Sequence, residues 1–141
     1  MVNATVIIDA GPLVALTNEQ DQYHPWARQE SVNLKAPFMT CDAVLSEAWF
    51  LLRALPKAQE KMLSLLQKGL IQPQFNSAPE TATLTELLRK YANVPMSFAD
   101  ASLVRMSELV PECVIFTMDS DFRIYRRNRN ETIPLVIPPQ I

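Results

Sequence analysis

The sequence predicts an α/β fold in which a mostly parallel sheet is covered by helices on both faces. Two short apolar runs, at residues 5–8 and 113–117, are rich in β-branched residues and are typical of buried strands. The stretches between them place apolar residues at helical spacing, and strands that alternate with helices favour parallel pairing. A chain of 141 residues can bury one core, so we expect a single domain over residues 1–141.

The first part of the chain begins with the strand at 5–8 and then turns into helix. Pro12 falls in the expected first turn of that helix, a position that tolerates proline. A second helix is expected to begin at His24, which Pro25 follows. Residues 38–40 predict a brief strand. The expected order up to this point is strand, helix, helix, strand.

Two further helices are predicted in the middle of the chain. Thr40 or Asp42 could cap the first of them, and Pro56 could start the second, which Gly69 would end. The apolar positions expected to face the core are Val44, Leu45, Ala48, Leu51, Leu52 and Leu55 in the first helix, and Met62, Leu65 and Leu66 in the second. Their helical spacing is the basis of both predictions.

The second half of the chain continues the alternation. Pro73 confines a strand at 70–71 to an edge or a connection, because proline cannot donate to a neighbouring strand. Residues 77–80 and 97–100 both have the spacing of a capping box at the start of a helix. The helix after the first of these carries the stripe Leu84, Leu87, Leu88 and Tyr91. A last strand is predicted at 134–138.

The composition is that of an ordinary globular protein, with 48% apolar residues, 20% charged residues and a net charge of −2. This charge argues against a protein that coats nucleic acid by charge alone. No apolar run approaches the roughly 18 residues of a membrane span, and residues 1–5 lack the basic region of a secretory signal. We therefore expect a cytoplasmic protein with no membrane partner. Cys41 and Cys113 lie in apolar surroundings, which favours buried thiols.

Scarce residues exclude several common catalytic plans. Gly11 and Gly69 are the only glycines, so neither a phosphate-binding P-loop nor a dinucleotide fingerprint can be built in the usual way. His24 is the only histidine and lies far from any nucleophile pattern, which argues against a serine or cysteine hydrolase and against a zinc site.

Four carboxylates stand beside apolar stretches: Asp9, Glu47, Asp100 and Asp119. A charge that borders a core is unfavourable unless it is paired, hydrogen-bonded or bound to a metal. Asp9 and Asp119 follow strong strands, so they belong at the carboxyl edge where parallel sheets bind ligands. Oxygen ligands of this kind suit a hard divalent cation, which supports metal-assisted hydrolysis of a phosphodiester.

Five segments match one known family in their order along the chain: residues 6–16, 21–24, 44–47, 97–101 and 117–122, the last reading T-x-D-x-D-F. On these segments the chain resembles the PIN-domain ribonucleases, most closely the small VapC-type toxins of bacterial toxin–antitoxin pairs. The resemblance implies a PIN-like three-layer α/β/α sandwich whose mostly parallel sheet has roughly five strands. It also implies a Mg²⁺ or Mn²⁺ site and endonucleolytic cleavage of RNA.

The resemblance also implies roles for residues of this chain. The expected metal-binding and catalytic residues are Asp9, Glu47, Asp100 and Asp119. Thr117 would orient a neighbouring carboxylate or water, and Asp121 would contribute from further out. Members of the family often form homodimers and are often silenced by a small antitoxin protein, so both are candidate partners besides the RNA substrate.

Each acid also has a purely structural interpretation. Asp9 could cap the helix that follows it, and Asp100 could serve only as a capping-box residue. Asp119 and Asp121 could be ordinary turn formers. Glu47 could form an ion pair on a helix surface.

The only basic cluster consists of Arg123, Arg126, Arg127 and Arg129. One interpretation is the solvated face of a helix. The other is that these side chains contact RNA phosphates or an acidic segment of a partner. Trp26 and Trp49 are interpreted as core residues and not as base-stacking platforms.

Other functions are compatible with the same fold class. A PIN-like nuclease could process RNA outside a toxin pair, and a catalytically silent PIN domain could bind RNA or protein without cutting. A phosphoryl-accepting regulatory domain is a poorer match, because such domains pair adjacent acids after the first strand, whereas Ala10 follows Asp9 here.

Overall fold

A computed structural model describes residues 3–141 of the chain. Met1 and Val2, which begin the segment where we expect no secretory signal, lie outside the described residues. The helices are α1 (Ala10–Thr17), α2 (His24–Val32), α3 (Asp42–Leu51), α4 (Pro56–Gln67), α5 (Thr81–Lys90) and α6 (Phe98–Leu109). The strands are β1 (Thr5–Ile8), β2 (Phe38–Thr40), β3 (Ile71–Pro73), β4 (Cys113–Phe116), β5 (Arg126–Arg127), β6 (Glu131–Thr132) and β7 (Leu135–Val136).

The sheet places its two most apolar strands side by side near its centre. Five strands are ordered β3-β2-β1-β4-β7, and all four pairings between neighbours are parallel. Every residue of β4 is buried, as strands covered on both faces require. Pro73 lies in the edge strand β3, as predicted. Ile8 of β1 lies opposite Phe116 of β4, so the residues that follow these two strands share one edge of the sheet.

Helices cover both faces of this sheet. α1 packs against α2, α3 and α4, while α6 packs against α5 and directly on β1 and β4. The three-layer α/β/α arrangement with a five-stranded parallel sheet confirms the predicted fold class. Cys41 and Cys113 are buried free thiols, as predicted. Within residues 3–141, no helix is both long enough and apolar enough to cross a membrane.

The start of α3 differs from the prediction. Cys41, and not Thr40 or Asp42, is the N-cap residue, and no side chain caps this helix. The Thr40 hydroxyl donates instead to the Ile8 carbonyl of β1, at 2.8 Å. Asp42 is already the first helical residue, where its charge still favours the helix N-terminus. A hydroxyl that bonds to a neighbouring strand is not available as a cap.

The apolar face of α3 is narrower than the sequence predicted. Buried residues repeat every four positions from Val44 to Leu52. The exposed apolar side chains at the C-terminal end of the helix and just after it are Trp49, Phe50, Leu51 and Leu55. The core assignment of Leu51, Leu55 and Trp49 is therefore wrong; Trp49 is 41% exposed.

Residues 77–80 do not form the predicted capping box. The backbone of Ser77 is already helical, and the three residues after it form a 3₁₀ turn before α5. Glu80 accepts a hydrogen bond from the Arg105 guanidinium of α6 at 2.6 Å. Because the Glu80 carboxylate is engaged in this tertiary ion pair, it does not accept the backbone N–H of Ser77 as a capping box requires.

The arginine-rich segment is not a helix, so its interpretation as a solvated helix face is wrong. A 3₁₀ turn spans Ser120–Arg123, and Arg126 and Arg127 form β5, which pairs with β6 in an antiparallel hairpin. The hairpin turn holds Asn128 and Arg129 at φ values of 49° and 73°. Positive φ is uncommon for residues other than glycine, so no turn motif in the sequence announces this hairpin.

Candidate active site

Asp9 lies at the carboxyl end of β1 and begins α1. It is the N-cap residue of α1, and its Oδ1 accepts a hydrogen bond from the Ala10 N–H at 2.8 Å. Its Oδ2 accepts a second hydrogen bond from the Thr117 hydroxyl at 2.7 Å. The residue is only 8% exposed. Capping is therefore part of its geometry, but a cap requires neither the burial nor the contact with Thr117.

Thr117 joins two of the candidate acids. The pairing of Ile8 with Phe116 places Thr117 beside Asp9 at the same edge of the sheet. The Thr117 hydroxyl donates to Asp9 and accepts from the backbone N–H of Asp119 at 3.0 Å. A hydroxyl can do both at once because it is a donor and an acceptor. Thr117 thus contacts a carboxylate, which is the kind of neighbour that an orienting residue needs.

Asp100 lies in the first turn of α6, and its carboxylate is held from two sides. Ser97 and Asp100 form the predicted capping box, in which the Ser97 N–H donates to Asp100 Oδ2 at 3.2 Å. The Tyr125 hydroxyl donates to the same Oδ2 at 3.0 Å. Because both donors reach one oxygen, Oδ1 is the oxygen left for a ligand.

Asp119 begins the 3₁₀ turn that follows β4. Its Oδ1 accepts a hydrogen bond from the Asp121 N–H at 2.9 Å, which is the geometry of a turn-forming aspartate. Asp121 is half-buried. Partial burial raises the pKa of Asp121, and the nearby charge of Asp119 adds to this rise.

Glu47 projects from the middle of α3, and its side chain is exposed. In the part of the chain that the structure describes, it forms no ion pair with Arg53, with Lys57 or with any other residue. The Arg53 guanidinium lies instead over the Phe50 ring, 4.1 Å from its centroid. Pairing on the helix surface therefore does not explain Glu47.

Burial and mutual repulsion raise the pKa of three of these acids. Burial raises the pKa of Asp9 from its ordinary value of 3.8 to about 6, even though hydrogen bonds from Thr117 and Ala10 stabilise the charged form. The charges of Asp100 and Glu47 contribute to the same rise.

The other carboxylates also respond to one another. Although the Glu47 side chain is exposed to solvent overall, desolvation of its carboxylate raises its pKa, and the charges of Asp100 and Asp119 add to this rise. Burial raises the pKa of Asp100 too, against the hydrogen bonds from Ser97 and Tyr125 and with a contribution from Asp119. These charge effects place Asp9 near Asp100 and Glu47, and they place Asp100 and Glu47 near Asp119.

The carboxylates are not arranged as a finished metal site. Within residues 3–141, no three aspartate, glutamate, histidine or cysteine side chains form a group that could hold a metal ion as they stand. The donor set still suits a hard divalent cation, because it consists of carboxylate oxygens with no ion-pair partner among the described residues. Any cation held here would require the side chains to draw closer together.

Two of the four arginines in the basic cluster form hydrogen bonds within the chain. Arg126 donates from one nitrogen to the backbone carbonyls of Arg123, Ile124 and Tyr125, at 2.8–3.1 Å. Arg127 is buried, and its guanidinium is bonded within the chain. Arg123 and Arg129 are exposed.

Tyr125 is the functional candidate that sequence reasoning missed. It is fully buried, and its hydroxyl reaches Asp100 across 25 residues of sequence. A single tyrosine in an arginine-rich segment carries no periodicity or motif that would reveal this contact. Only the docking of the hairpin segment against α6 brings the two residues together.

A groove of about 420 Å³ lies elsewhere, among α1, α2, α4 and the first residues of β2 and β3. Its apolar lining includes Leu16, Phe38 and Leu65, and its charged lining includes Glu19 and Arg28. None of the four candidate acids lines it. Because its charges are of both signs, they do not select a class of ligand.

Comparison with known proteins defines the class of fold. No protein-family model matches the chain, and no curated protein matches its sequence. Among solved structures, the fold is similar to that of VapC20 from Mycobacterium tuberculosis, a sarcin-ricin loop cleaving toxin with a PIN domain. The TM-score is 0.73 at 20% sequence identity, and the match covers 83% of this chain and 92% of that chain. The PIN-like fold that the sequence motifs implied is therefore confirmed.

Proposed function

We propose that this protein is a metal-dependent endoribonuclease that cleaves RNA phosphodiesters at a site formed by Asp9, Glu47, Asp100 and Asp119. The observation that carries the proposal is the convergence of these acids at the carboxyl edge of a PIN-like sheet, where Thr117 bridges Asp9 and the backbone of Asp119. Burial and neighbouring charges raise the pKa values of Asp9, Glu47 and Asp100. A substrate-binding edge is where parallel sheets place their ligands. The fold of a known RNA-cleaving toxin supports the same reaction class.

The residues of the chain would divide the work as follows. The four carboxylates would hold Mg²⁺ or Mn²⁺, and Thr117 would keep Asp9 and the backbone of Asp119 in register. When bound, such an ion supplies positive charge beside the phosphodiester and makes a water molecule more acidic. Repulsion among the acids favours drawing them around a cation, because the cation removes that repulsion.

We also propose that the protein is the toxin of a toxin–antitoxin pair, with a small antitoxin as its partner and with dimer formation as a further expectation. The exposed apolar side chains at the end of α3 and just after it support a protein partner, since monomeric proteins rarely expose adjoining large apolar residues. These residues are Trp49, Phe50, Leu51 and Leu55. A cytoplasmic location stays a prediction. A small neighbouring reading frame that encodes a protein with a DNA-binding N-terminal segment would favour the toxin role over RNA processing outside a toxin pair.

The second candidate is a catalytically silent PIN-like domain that binds RNA or protein. It is favoured by one observation, which is that no three candidate ligands among residues 3–141 form a metal-holding group as they stand. The two candidates differ in RNA cleavage, because a silent domain does not cleave RNA when Mg²⁺ or Mn²⁺ is added.

Cleavage assays on the wild type and on Asp100→Asn test the main proposal. We expect cleavage of single-stranded RNA that requires Mg²⁺ or Mn²⁺, stops in EDTA, and falls at least about 100-fold in Asp100→Asn, the scale of a lost preorganised charge contact. Asn keeps the shape of the side chain and can still accept the Ser97 hydrogen bond.

Asp21→Asn is the matched control. Asp21 also accepts a backbone hydrogen bond, from Tyr23 N–H at 2.8 Å, and lies in the loop between α1 and α2. Its amide variant should cleave RNA like the wild type. Cleavage that persists in Asp100→Asn, or that is equally reduced in both variants, would overturn the site assignment.

A further inference from the structure

We propose that Tyr125 is a positioning residue that orients the Asp100 carboxylate for cation binding. The inference rests on the proposed function, because it assigns a role at the same four-carboxylate site. Its basis is the hydrogen bond of 3.0 Å from the Tyr125 hydroxyl to Asp100 Oδ2. Tyr125 would act through Asp100, without touching RNA or the ion itself.

The contact fixes one particular oxygen of Asp100. The Ser97 N–H, at 3.2 Å, and the Tyr125 hydroxyl, at 3.0 Å, both donate to Oδ2. Two donors that converge on one oxygen from different elements prevent the carboxylate from rotating. Oδ1 is then the oxygen left free for a ligand. A hydrogen bond to an ionised group is stronger than one between neutral groups, so this restraint is effective.

The ring of Tyr125 is itself immobilised. It packs edge-to-face against Tyr91 of the α5 C-terminus and against Phe122 of the 3₁₀ turn, with centroids 5.1 Å apart in both cases. This aromatic cluster joins α5 to the segment that follows Asp119. It holds the Tyr125 ring in the position from which its hydroxyl contacts Asp100 of α6.

The surroundings of Tyr125 favour this role over a purely structural one. A buried hydroxyl needs a hydrogen-bond partner, and many neutral acceptors would satisfy it. The partner here is instead the carboxylate of Asp100, which lies on a different element, α6, and is also held by the Ser97 N–H. Side chains that hold the ligands of a metal typically change metal affinity by 10–100-fold when they are removed.

The chain offers a closely matched control. Tyr91 and Tyr125 belong to the same aromatic cluster, both are buried, and both use their hydroxyl in one hydrogen bond across the hairpin junction. Tyr91→Phe removes a hydroxyl that contacts backbone, whereas Tyr125→Phe removes one that contacts Asp100. A role in packing alone predicts the same outcome for both variants.

The experiment measures Mn²⁺ binding by calorimetry for the wild type, Tyr125→Phe, Tyr91→Phe and Asp100→Asn. We expect Kd for Mn²⁺ to rise about tenfold in Tyr125→Phe, to stay within about twofold in Tyr91→Phe, and to rise most in Asp100→Asn. Single-turnover RNA cleavage at saturating Mn²⁺ should recover more fully in Tyr125→Phe than in Asp100→Asn.

Near-UV difference absorbance adds a readout that does not need the Tyr125 variant to be stable. Mn²⁺ should perturb a tyrosine band in the wild type and in Tyr91→Phe, because the phenol of Tyr125 is bonded to a ligand. No perturbation in either protein, or equal loss of Mn²⁺ affinity in the two phenylalanine variants, overturns the positioning role. A wild type that binds no Mn²⁺ overturns the proposed function as well, whereas normal binding by Tyr125→Phe overturns this inference alone.

Discussion

At the carboxyl edge of the sheet, Asp9 is buried with its charge opposed by other acids, whereas in the nearby hairpin Arg127 is buried with its charge bonded inside the chain. The Arg127 guanidinium donates to Glu131, to the Ser107 carbonyl at 2.9 Å and to the Pro111 carbonyl at 3.1 Å. Asp9 receives only the N–H of Ala10 and a hydroxyl from within the site.

The degree to which the chain compensates a buried charge separates structural charges from functional ones in this fold. A buried charge is unfavourable unless its surroundings compensate it, and the chain compensates Arg127 from its own residues. Hydrogen bonds within the chain compensate Asp9 and Asp100 only in part, and none among residues 3–141 compensates Glu47, so the pKa values of these three acids are raised by burial and by neighbouring acids. Acids with raised pKa values that gather at the ligand-binding edge of a sheet are candidates for ligand binding.

The largest expected effect is a loss of stability on removing Arg127, the buried charge that the chain compensates. Arg127→Ala leaves the Ser107 and Pro111 carbonyls without their donor and Glu131 without its partner. Glu131 is half-exposed, so part of this loss is recovered by water. We expect the free energy of unfolding to fall by about 2–4 kcal/mol, somewhat less than the roughly 3–5 kcal/mol expected for a fully buried pair. Urea unfolding measures it from the midpoint at constant m-value.

Arg129→Ala is the control, since Arg129 lies in the same hairpin with an exposed side chain. Its unfolding free energy should stay within about 0.5 kcal/mol of the wild type. If Arg127→Ala were as mild as Arg129→Ala, the contrast between a compensated and an uncompensated charge would fail. Loss of RNA binding in Arg127→Ala would report unfolding, so it would not support the earlier interpretation of Arg127 as a contact.

On the uncompensated side, Asp9→Asn should stabilise the metal-free protein. The folded-state pKa of about 6 exceeds the ordinary 3.8, so the native state binds a proton more readily than the unfolded chain between these values. The stability that this group contributes is present below about pH 3.8 and is lost as pH rises through 6. Above pH 6 the buried charge is therefore unfavourable, and Asn removes it at a gain of about 1–2 kcal/mol.

Thermal and urea unfolding in EDTA from pH 4 to pH 8 measures whether Asp9→Asn is more stable than the wild type and over which pH range. The advantage of Asp9→Asn should be largest at pH 7–8 and should vanish toward pH 4. Added Mn²⁺ should stabilise the wild type more than the variant, because binding to the native state stabilises by mass action. Asp21→Asn provides the control and should show neither effect. A variant that is less stable than the wild type at pH 8, with an unchanged response to Mn²⁺, would reduce Asp9 to a helix cap.

The sequence predicts the acidic edge better than the hairpin, for a physical reason. A β-branched run followed by a carboxylate is a local pattern, so β1 with Asp9 and β4 with Asp119 could be placed from sequence. The capping box of α6 is equally local. The hairpin has strands of two residues and a turn at Asn128 and Arg129 with positive φ, so it has neither periodicity nor a glycine to mark it.

Contacts between residues far apart in the sequence could not be predicted either, because they leave no local pattern. Thr40 was expected to cap α3, but its hydroxyl bonds to β1, a contact across 32 residues. The spacing of Ser77 and Glu80 predicts a capping box, but the Glu80 carboxylate accepts instead from Arg105, 25 residues away in the sequence. Tyr125 reaches Asp100 only after its hairpin docks on α6. Local propensity therefore predicts which acids lie at the ends of strands and helices, and tertiary contacts decide how their side chains are held.

The smallest expected effect concerns Arg123 and Arg129, the two exposed arginines of the segment. If they contact RNA phosphates, Arg123→Gln with Arg129→Gln should weaken binding of single-stranded RNA by a few-fold. The slope of log K against log salt should shrink by about 1 for each lost contact. Fluorescence anisotropy in EDTA measures binding without cleavage. Lys57→Gln with Lys61→Gln removes the same charge from the exposed side of α4 and is the control. Equal losses in the two double variants would mean that net charge alone acts, and an unchanged slope in the arginine variant would leave the whole segment with a structural role.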